Sequence, residues 1–172
     1  WDFTGVEEVG VRATIARIGA NAFMANEKCI ADLIFGGICA RFPKLDFVSV
    51  ESGVGWLPFA LDAFDWQWAN GAVRKDHPDW DLTPSEYFER QIYSCFWFEE
   101  MGLSAFIERY PDNVLYETDY PHPTSMAVGP ASTAVHPREY ASRVLADVSL
   151  ETAGKVLEST ASRLYGLETA AA

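Results

Sequence analysis

The sequence predicts an α/β fold with about three parallel strands and flanking helices. Three short runs rich in β-branched and aromatic residues, at 45–50, 92–98 and 114–118, have the composition of strands. The stretches between them carry apolar residues at three- and four-residue spacing, which is typical of helices. Strands joined by helical crossovers pair in parallel through right-handed connections. The chain shows no repeat, linker or low-complexity segment, so we expect a single domain over residues 1–172.

The helices are predicted from spacing and from start and stop signals. A helical stretch over 13–42, in one or two parts, ends at Phe42-Pro43, because the residue before proline is pushed out of the helical region. A capping box at Thr83-Pro84-Ser85-Glu86 begins another helix. Further helices are predicted over 103–109, 136–147 and 150–165, the last interrupted near Gly154, and a proline-rich surface loop over 121–137. The helix predicted over 56–72 has one apolar stripe, formed by Leu57, Ala60, Leu61, Phe64 and Trp68.

Composition excludes several classes of partner. The net charge is -12, from 25 acidic and 13 basic residues, and this argues against binding to nucleic acid or to an anionic membrane. No apolar run approaches the ~20 residues of a membrane span. Cys29, Cys39 and Cys95 are scattered without CxxC spacing, which indicates small core residues in a reducing compartment and hence a cytoplasmic protein.

Acidic residues follow all three predicted strands, and they are the candidate site residues. Glu51, the pair Glu99-Glu100 and Asp119 should lie at the same edge of a parallel sheet. Three acidic strand ends would suit a metal-assisted or acid/base site. Asp119 could be a metal ligand or general base, or could instead cap the turn that follows it. His122, three residues further on, could face the same site or be a solvated bystander.

The remaining candidates have simpler interpretations. Glu51 precedes a Ser-Gly-Val-Gly turn and could either be catalytic or make a buried structural hydrogen bond. The glycines of this turn alone are too weak a signal for phosphate binding. Of Glu99 and Glu100 we expect one buried and one solvated carboxylate. His77 and His136 precede prolines and are predicted to be structural or exposed. No nucleophile elbow, P-loop or H-x-H pair is present. The tryptophans are predicted to be packing residues, namely Trp56, Trp66, Trp68, Trp80 and Trp97.

Five motifs in a fixed order give the sequence a family resemblance. They are Asp32-Leu33-Ile34-Phe35-Gly36-Gly37 leading to Arg41-Phe42-Pro43-Lys44-Leu45, Val50-Glu51-Ser52-Gly53 through Trp56-Leu57-Pro58-Phe59, Ser85-Glu86-Tyr87-Phe88, Glu117-Thr118-Asp119-Tyr120-Pro121-His122, and Lys155-Val156-Leu157 to Arg163-Leu164-Tyr165-Gly166. Together, over about residues 25–167, they resemble the C-terminal half of the amidohydrolase-related family. That family includes metal-dependent hydrolases and nonoxidative decarboxylases such as aminocarboxymuconate semialdehyde decarboxylase and γ-resorcylate decarboxylase.

The resemblance implies a fold and a metal site. The fold would be the C-terminal part of a TIM-like (β/α)₈ barrel, with the three strands as its sixth, seventh and eighth. The family's metal site uses an H-x-H pair, a further histidine and an aspartate on the eighth strand, and only the aspartate has a counterpart here, Asp119. The implied cofactor is a divalent metal, zinc before manganese, with Asp119 as ligand. Asp119 and Glu51 would be catalytic, and His122 would contact the substrate.

The resemblance leaves three functions open. Glu51 stands where the family's decarboxylases carry a histidine, and this favours a metal-dependent hydrolase of a small carboxylated or aromatic substrate over a decarboxylase. The third possibility is a non-catalytic half-barrel that serves as an interaction module.

We also expect the chain to be a piece of a longer, homo-oligomeric protein. It starts at Trp1, and its 172 residues are fewer than the roughly 250 of a complete barrel. Alone it should show no turnover, and its open sheet should leave apolar surface uncovered, so that the chain is unstable or self-associates.

Overall fold

A computed structural model describes residues 3–122, 125–126 and 135–167. The three strands are β1 (Phe47–Ser49), β2 (Ile92–Phe96) and β3 (Val114–Tyr116), which form one parallel sheet in the order β1-β2-β3. The register pairs Phe47 with Ile92 and Ser94 with Val114. The predicted parallel sheet is therefore confirmed, although each strand is shorter than its sequence run.

Helices flank this sheet. They are α1 (Val6–Val9), α2 (Val11–Ala22), α3 (Ala25–Phe35), α4 (Ile38–Arg41), α5 (Leu57–Asn70), α6 (Pro84–Gln91), α7 (Leu103–Arg109), α8 (Pro137–Val144), α9 (Leu150–Gly154) and α10 (Thr160–Tyr165). A 3₁₀ turn covers Val73–Lys75, and a π-helical segment, Lys155–Ser159, joins α9 to α10 where an interruption was predicted. Among the described residues, no helix is both long enough and apolar enough to cross a membrane. The loop predicted over 121–137 lies mostly outside the described ranges.

The predicted helix over 13–42 is divided into α2, α3 and α4, and the second break has a packing reason. Gly37 has φ +71°, a conformation that favours glycine. A Cβ atom at Gly37 would also lie only 2.3 Å from the Trp80 ring. The helix therefore stops where the backbone must pass close to the indole.

One face of the sheet packs against α5, α6 and α7 and forms the main core. The predicted apolar stripe of α5 is confirmed, since Leu57, Ala60, Leu61, Phe64 and Trp68 are all buried. The capping box at Thr83 is also confirmed: its N–H and hydroxyl both donate to the Glu86 carboxylate, at 2.7 and 3.0 Å. Most of the tryptophans pack as predicted, but Trp66 does not: 68% of it is exposed on the outer side of α5.

The opposite face of the sheet is covered as well. Tyr93, Cys95 and Leu115 are 9%, 5% and 4% exposed, and Ala161 and Leu164 of α10 pack against them. The expectation of uncovered apolar surface is therefore wrong for this face, because the C-terminal helix folds onto it.

Candidate functional site

The acidic residues that follow the three strands lie at one edge of the sheet, which we call the mouth. Because β1, β2 and β3 are parallel, their carboxyl ends point the same way. Glu51 follows β1, Glu99 follows β2, and Glu117 and Asp119 follow β3. The predicted gathering of acidic strand ends is therefore confirmed at the level of the backbone.

Asp119 follows β3 and its side chain is nearly buried. Its side chain is 7% exposed, and Oδ2 lies 3.1 Å from Nδ1 of His122, whose side chain is 60% exposed. Asp119 has φ +55°, in the left-handed region that aspartate tolerates better than most residues. The His122 N–H donates to the Asp119 carbonyl at 2.9 Å and closes the turn between them. A nearly buried carboxylate is thus paired with an imidazole that reaches solvent.

Glu51 contacts the other residues of the mouth through its backbone N–H. It has φ +57°, and its N–H donates to Oε1 of Glu117 at 2.9 Å. Glu51 itself is exposed. The turn after β1 is thereby attached to the end of β3, although β2 lies between these strands in the sheet.

Glu117 belongs to the mouth but was not among the predicted site residues. Burial raises the pKa of its carboxyl to about 7, and the nearby charges of Glu51 and Asp119 act in the same direction. Hydrogen bonds from the Glu51 N–H and the Cys95 thiol lower the pKa but do not outweigh burial. The sequence signal was an acidic residue near the end of the predicted third strand, but the raised pKa of Glu117 depends on its burial, which only the fold reveals.

Glu99 is half-buried and Glu100 is exposed, where one buried and one solvated carboxylate were expected. Oε1 of Glu99 accepts the Val54 N–H at 2.5 Å, while Oε2 accepts the N–H groups of Trp97 and Phe98 at 3.1 and 3.3 Å. Both oxygens therefore hold backbone in place. The Glu100 side chain is instead 62% exposed and ion-paired to Arg143.

Gly53 is required where Glu99 holds the turn after β1. It has φ +68°, and a Cβ atom built there would lie 2.2 Å from Oε1 of Glu99. The glycine thus lets the carboxylate reach the Val54 N–H. Gly53 therefore allows the turn to pack closely against Glu99. This structural role agrees with the prediction that the glycines of the turn are too weak a signal for phosphate binding.

The other histidines and the cysteines lie elsewhere. The His77 ring stacks on Trp80 with centroids 3.9 Å apart, and Nδ1 of His136 accepts the Arg138 N–H at 3.2 Å to cap α8. Their structural roles were predicted. All three cysteines are free; Cys39 and Cys95 are buried, but Cys29 is exposed, which corrects the prediction of three core residues. Burial raises the pKa of the Cys39 thiol to about 11 and also raises that of Cys95.

The described residues do not by themselves fit a complete metal site. Within residues 3–122, 125–126 and 135–167, no group of three or more His, Cys, Asp or Glu side chains is arranged to hold a metal ion. In the mouth, Asp119 and His122 form a pair at 3.1 Å. A structural zinc site usually has four protein ligands and a catalytic one three.

Solved structures with the same arrangement of elements define the class of fold. An amidohydrolase from Mycobacterium avium subsp. paratuberculosis K-10 has a TM-score of 0.61 at 21% identity, covering 83% of this chain and 33% of that protein. The 5-carboxyvanillate decarboxylase from Sphingomonas paucimobilis has a TM-score of 0.58 at 23% identity, covering 80% of this chain and 38% of the enzyme. This chain therefore has the fold of the C-terminal part of an amidohydrolase-type (β/α)₈ barrel, and spans between a third and two fifths of the length of these proteins.

The family of this chain is shown by a comparison of its sequence with a family model. The family model described as amidohydrolase matches residues 10–167 of this chain. The chain belongs to the amidohydrolase family, and the resemblance inferred from its motifs is confirmed. Among curated proteins, no sequence matches.

Proposed function

We propose that this chain forms part of a metal-dependent hydrolase that acts on a small carboxylated or aromatic substrate. The observation that carries the proposal is the Asp119–His122 pair: a 7% exposed carboxylate 3.1 Å from an imidazole, at the carboxyl end of a strand. In (β/α)₈ barrels, catalytic residues come from the ends of strands at this face. Membership of the amidohydrolase family supports the reaction class.

Asp119 has the central role in this proposal. It serves as a ligand to a divalent ion, zinc before manganese, or orients the attacking water; the other ligands lie outside the described residues. Such an ion would polarise the substrate or lower the pKa of a bound water. His122, on the solvent side of the pair, contacts the substrate and can exchange a proton through Nδ1.

Glu51 and Glu117 form the second part of the site. The hydrogen bond between the Glu51 N–H and Glu117 fixes the position of the β1 turn at the mouth. Glu117, with its pKa raised to about 7 by burial, can hold or release a proton near neutral pH. Glu51, exposed at the same turn, would pass protons between this group and the solvent.

Decarboxylation is the second candidate. The 5-carboxyvanillate decarboxylase shares the fold, but Glu51 stands where the resemblance places a histidine in decarboxylases. Glutamate supplies a different proton donor at neutral pH, so hydrolysis is preferred. A non-catalytic half-barrel is the third candidate, favoured by the incomplete ligand set among the described residues.

Metal content tests the proposal. Elemental analysis of the longest protein that the gene encodes, compared with its Asp119→Ala variant, should find about one divalent ion per chain, lost or weakened in the variant. Glu100→Ala, which removes an exposed carboxylate that is ion-paired to Arg143, is the matched control and should leave the metal content unchanged. Metal-free protein, or metal indifferent to Asp119, would favour the half-barrel. The 172-residue chain alone should show no turnover.

A further inference from the structure

The turn after β1, residues 51–54, contains two residues in the left-handed region of the backbone. Glu51 has φ +57° and Gly53 has φ +68°. Glycine adopts this region at no steric cost, whereas a glutamate there is strained and persists only where surrounding contacts hold it. The conformation of Glu51 therefore depends on the contacts of the turn.

Both ends of this turn are held by carboxylates that belong to the other two strand ends. The Glu51 N–H donates to Oε1 of Glu117 at 2.9 Å, and the Val54 N–H donates to Oε1 of Glu99 at 2.5 Å. Glu99 follows β2 and Glu117 follows β3, so the turn after β1 is attached to the ends of both other strands. Two attachments at opposite ends of a short turn limit the rotation of the residues between them.

Glu99 is itself fixed in place. Its Oε2 accepts the N–H groups of Trp97 and Phe98 at 3.1 and 3.3 Å. The hydroxyl of Tyr140, which lies on α8 and is 2% exposed, donates to the Glu99 carbonyl. Both the carboxylate and the backbone of Glu99 are thus tied to other parts of the fold, and the turn is held against a fixed point.

We infer that Glu99 is a positioning residue for Glu51. By holding Val54 at one end of the turn, it keeps Glu51 at the other end in its left-handed conformation and at the mouth. Without Glu99, the backbone of Glu51 would relax to an ordinary negative φ, which would turn its N–H away from Glu117. The inference rests on the proposed function only where it gives Glu51 a part in proton transfer.

A role in stability alone would have a different consequence. Glu108 has such a role: its carboxylate accepts the Ser149 N–H at 2.8 Å and the Thr152 hydroxyl at 3.1 Å, and so joins α7 to α9. Loss of these bonds should destabilise the fold without a specific effect on the turn after β1. Glu99 differs because the segment that it holds carries a residue of the mouth.

Residue-resolved amide hydrogen exchange, on the longest protein that the gene encodes, tests the inference. In Glu99→Ala, the Glu51 N–H should exchange at least about tenfold faster than in the unmodified protein, because it no longer stays bonded to Glu117. The Ser94 N–H, which donates to the Asn113 carbonyl at 2.9 Å within the sheet, is the internal reference and should change less than about twofold. Glu108→Ala is the matched control and should leave the ratio of the two exchange rates unchanged.

Two results would overturn the inference. One is unchanged exchange of the Glu51 N–H in Glu99→Ala. The other is an increase that the Ser94 N–H shares to the same extent, since Glu99 would then stabilise the sheet as a whole. If Glu99→Ala loses its far-ultraviolet circular dichroism, Glu99→Asp decides, because its side chain is one methylene shorter and no longer reaches the Val54 N–H.

Hydrolysis of p-nitrophenyl acetate by the metal-loaded protein shows whether the position of Glu51 matters for the reaction. Glu51→Gln and Glu99→Ala should each lower kcat at least about tenfold. The double variant should be no more than about twofold slower than Glu51→Gln, because both substitutions remove the same contribution. Losses that multiply would mean that Glu99 acts by another route and would overturn the inference. Absence of turnover by the unmodified protein counts against the proposed hydrolase, whereas the exchange at Glu51 still decides whether Glu99 positions it.

Discussion

Replacement of Glu117 by glutamine should stabilise the chain at neutral and alkaline pH. The carboxyl has its pKa raised from 4.5 to about 7 in the folded state, chiefly by burial. Between those values the folded chain holds a proton that the unfolded chain has released. The stability contributed by this proton is complete below pH 4.5 and is lost as pH rises through about 7. Glutamine stays neutral, and its side-chain oxygen can still accept the Glu51 N–H.

The magnitude follows from the pKa difference. It corresponds to about 3 kcal/mol, and because the side chain is only half buried, screening by solvent reduces it to about 1–2 kcal/mol. The free energy of unfolding of Glu117→Gln should therefore exceed that of the unmodified chain by about 1–2 kcal/mol at pH 8.5. At pH 4.5 the two should agree.

Urea unfolding monitored by tryptophan fluorescence measures this difference. It should be done from pH 4.5 to 8.5 with a chelator present and one fixed protein concentration, so that neither bound cations nor association change across the series. Glu100→Gln is the control: its side chain is 62% exposed and paired to Arg143, so its effect should stay within about 0.5 kcal/mol. If Glu117→Gln is less stable than the unmodified chain at pH 8.5, or if the difference does not depend on pH, the carboxyl is ionised in the folded state and our argument is refuted.

Three further substitutions test the packing that positions the mouth, each through the urea midpoint. Gly53→Ala should cost about 1–3 kcal/mol, because the new Cβ would meet the Glu99 carboxylate at 2.2 Å in a backbone with φ +68°; an unchanged midpoint would mean that the turn can move away. Thr83→Ala should cost about 1 kcal/mol by removing the N-cap of α6, while Thr83→Ser should retain most of it. Asn113→Asp should cost about 3 kcal/mol, since its buried amide donates to the Phe88, Glu89 and Ile92 carbonyls and a carboxylate would repel them; equal stability would exclude these bonds.

Local patterns in the sequence were sufficient to predict the elements around the mouth. The apolar stripe of α5 and the capping box at Thr83 each depend on residues within a few positions of one another, and both are confirmed. Parallel pairing followed from the alternation of strands and helices. The edge at which Asp119 and Glu51 gather followed from that pairing. The functional roles of these residues remain predictions.

Contacts between distant parts of the chain could not be predicted in this way. The break at Gly37 depends on Trp80, 43 positions further along the sequence, which lies against it only after folding. The exposure of Trp66 differs from that of Trp68 because α5 packs only one of its sides on the sheet. Glu117 was missed because its raised pKa depends on how few donors reach it, and a count of donors requires the fold.

The carboxylates of the mouth differ in their hydrogen-bond partners. This difference separates a carboxylate that holds the backbone in place from those that are available for a reaction. Glu99 accepts three backbone N–H groups, so both of its oxygens are occupied in holding the turn after β1. Glu117 accepts one backbone N–H and a thiol, too little to offset its burial, and it retains a proton up to about pH 7. Asp119 has an imidazole that reaches solvent. A group whose oxygens are fully used by the backbone cannot bind a substrate or a metal without breaking the loop that it supports, whereas the Asp119–His122 pair can exchange one partner for another. The chemistry of the mouth should therefore begin at Asp119 and His122, with Glu117 beside them as the group that stores a proton.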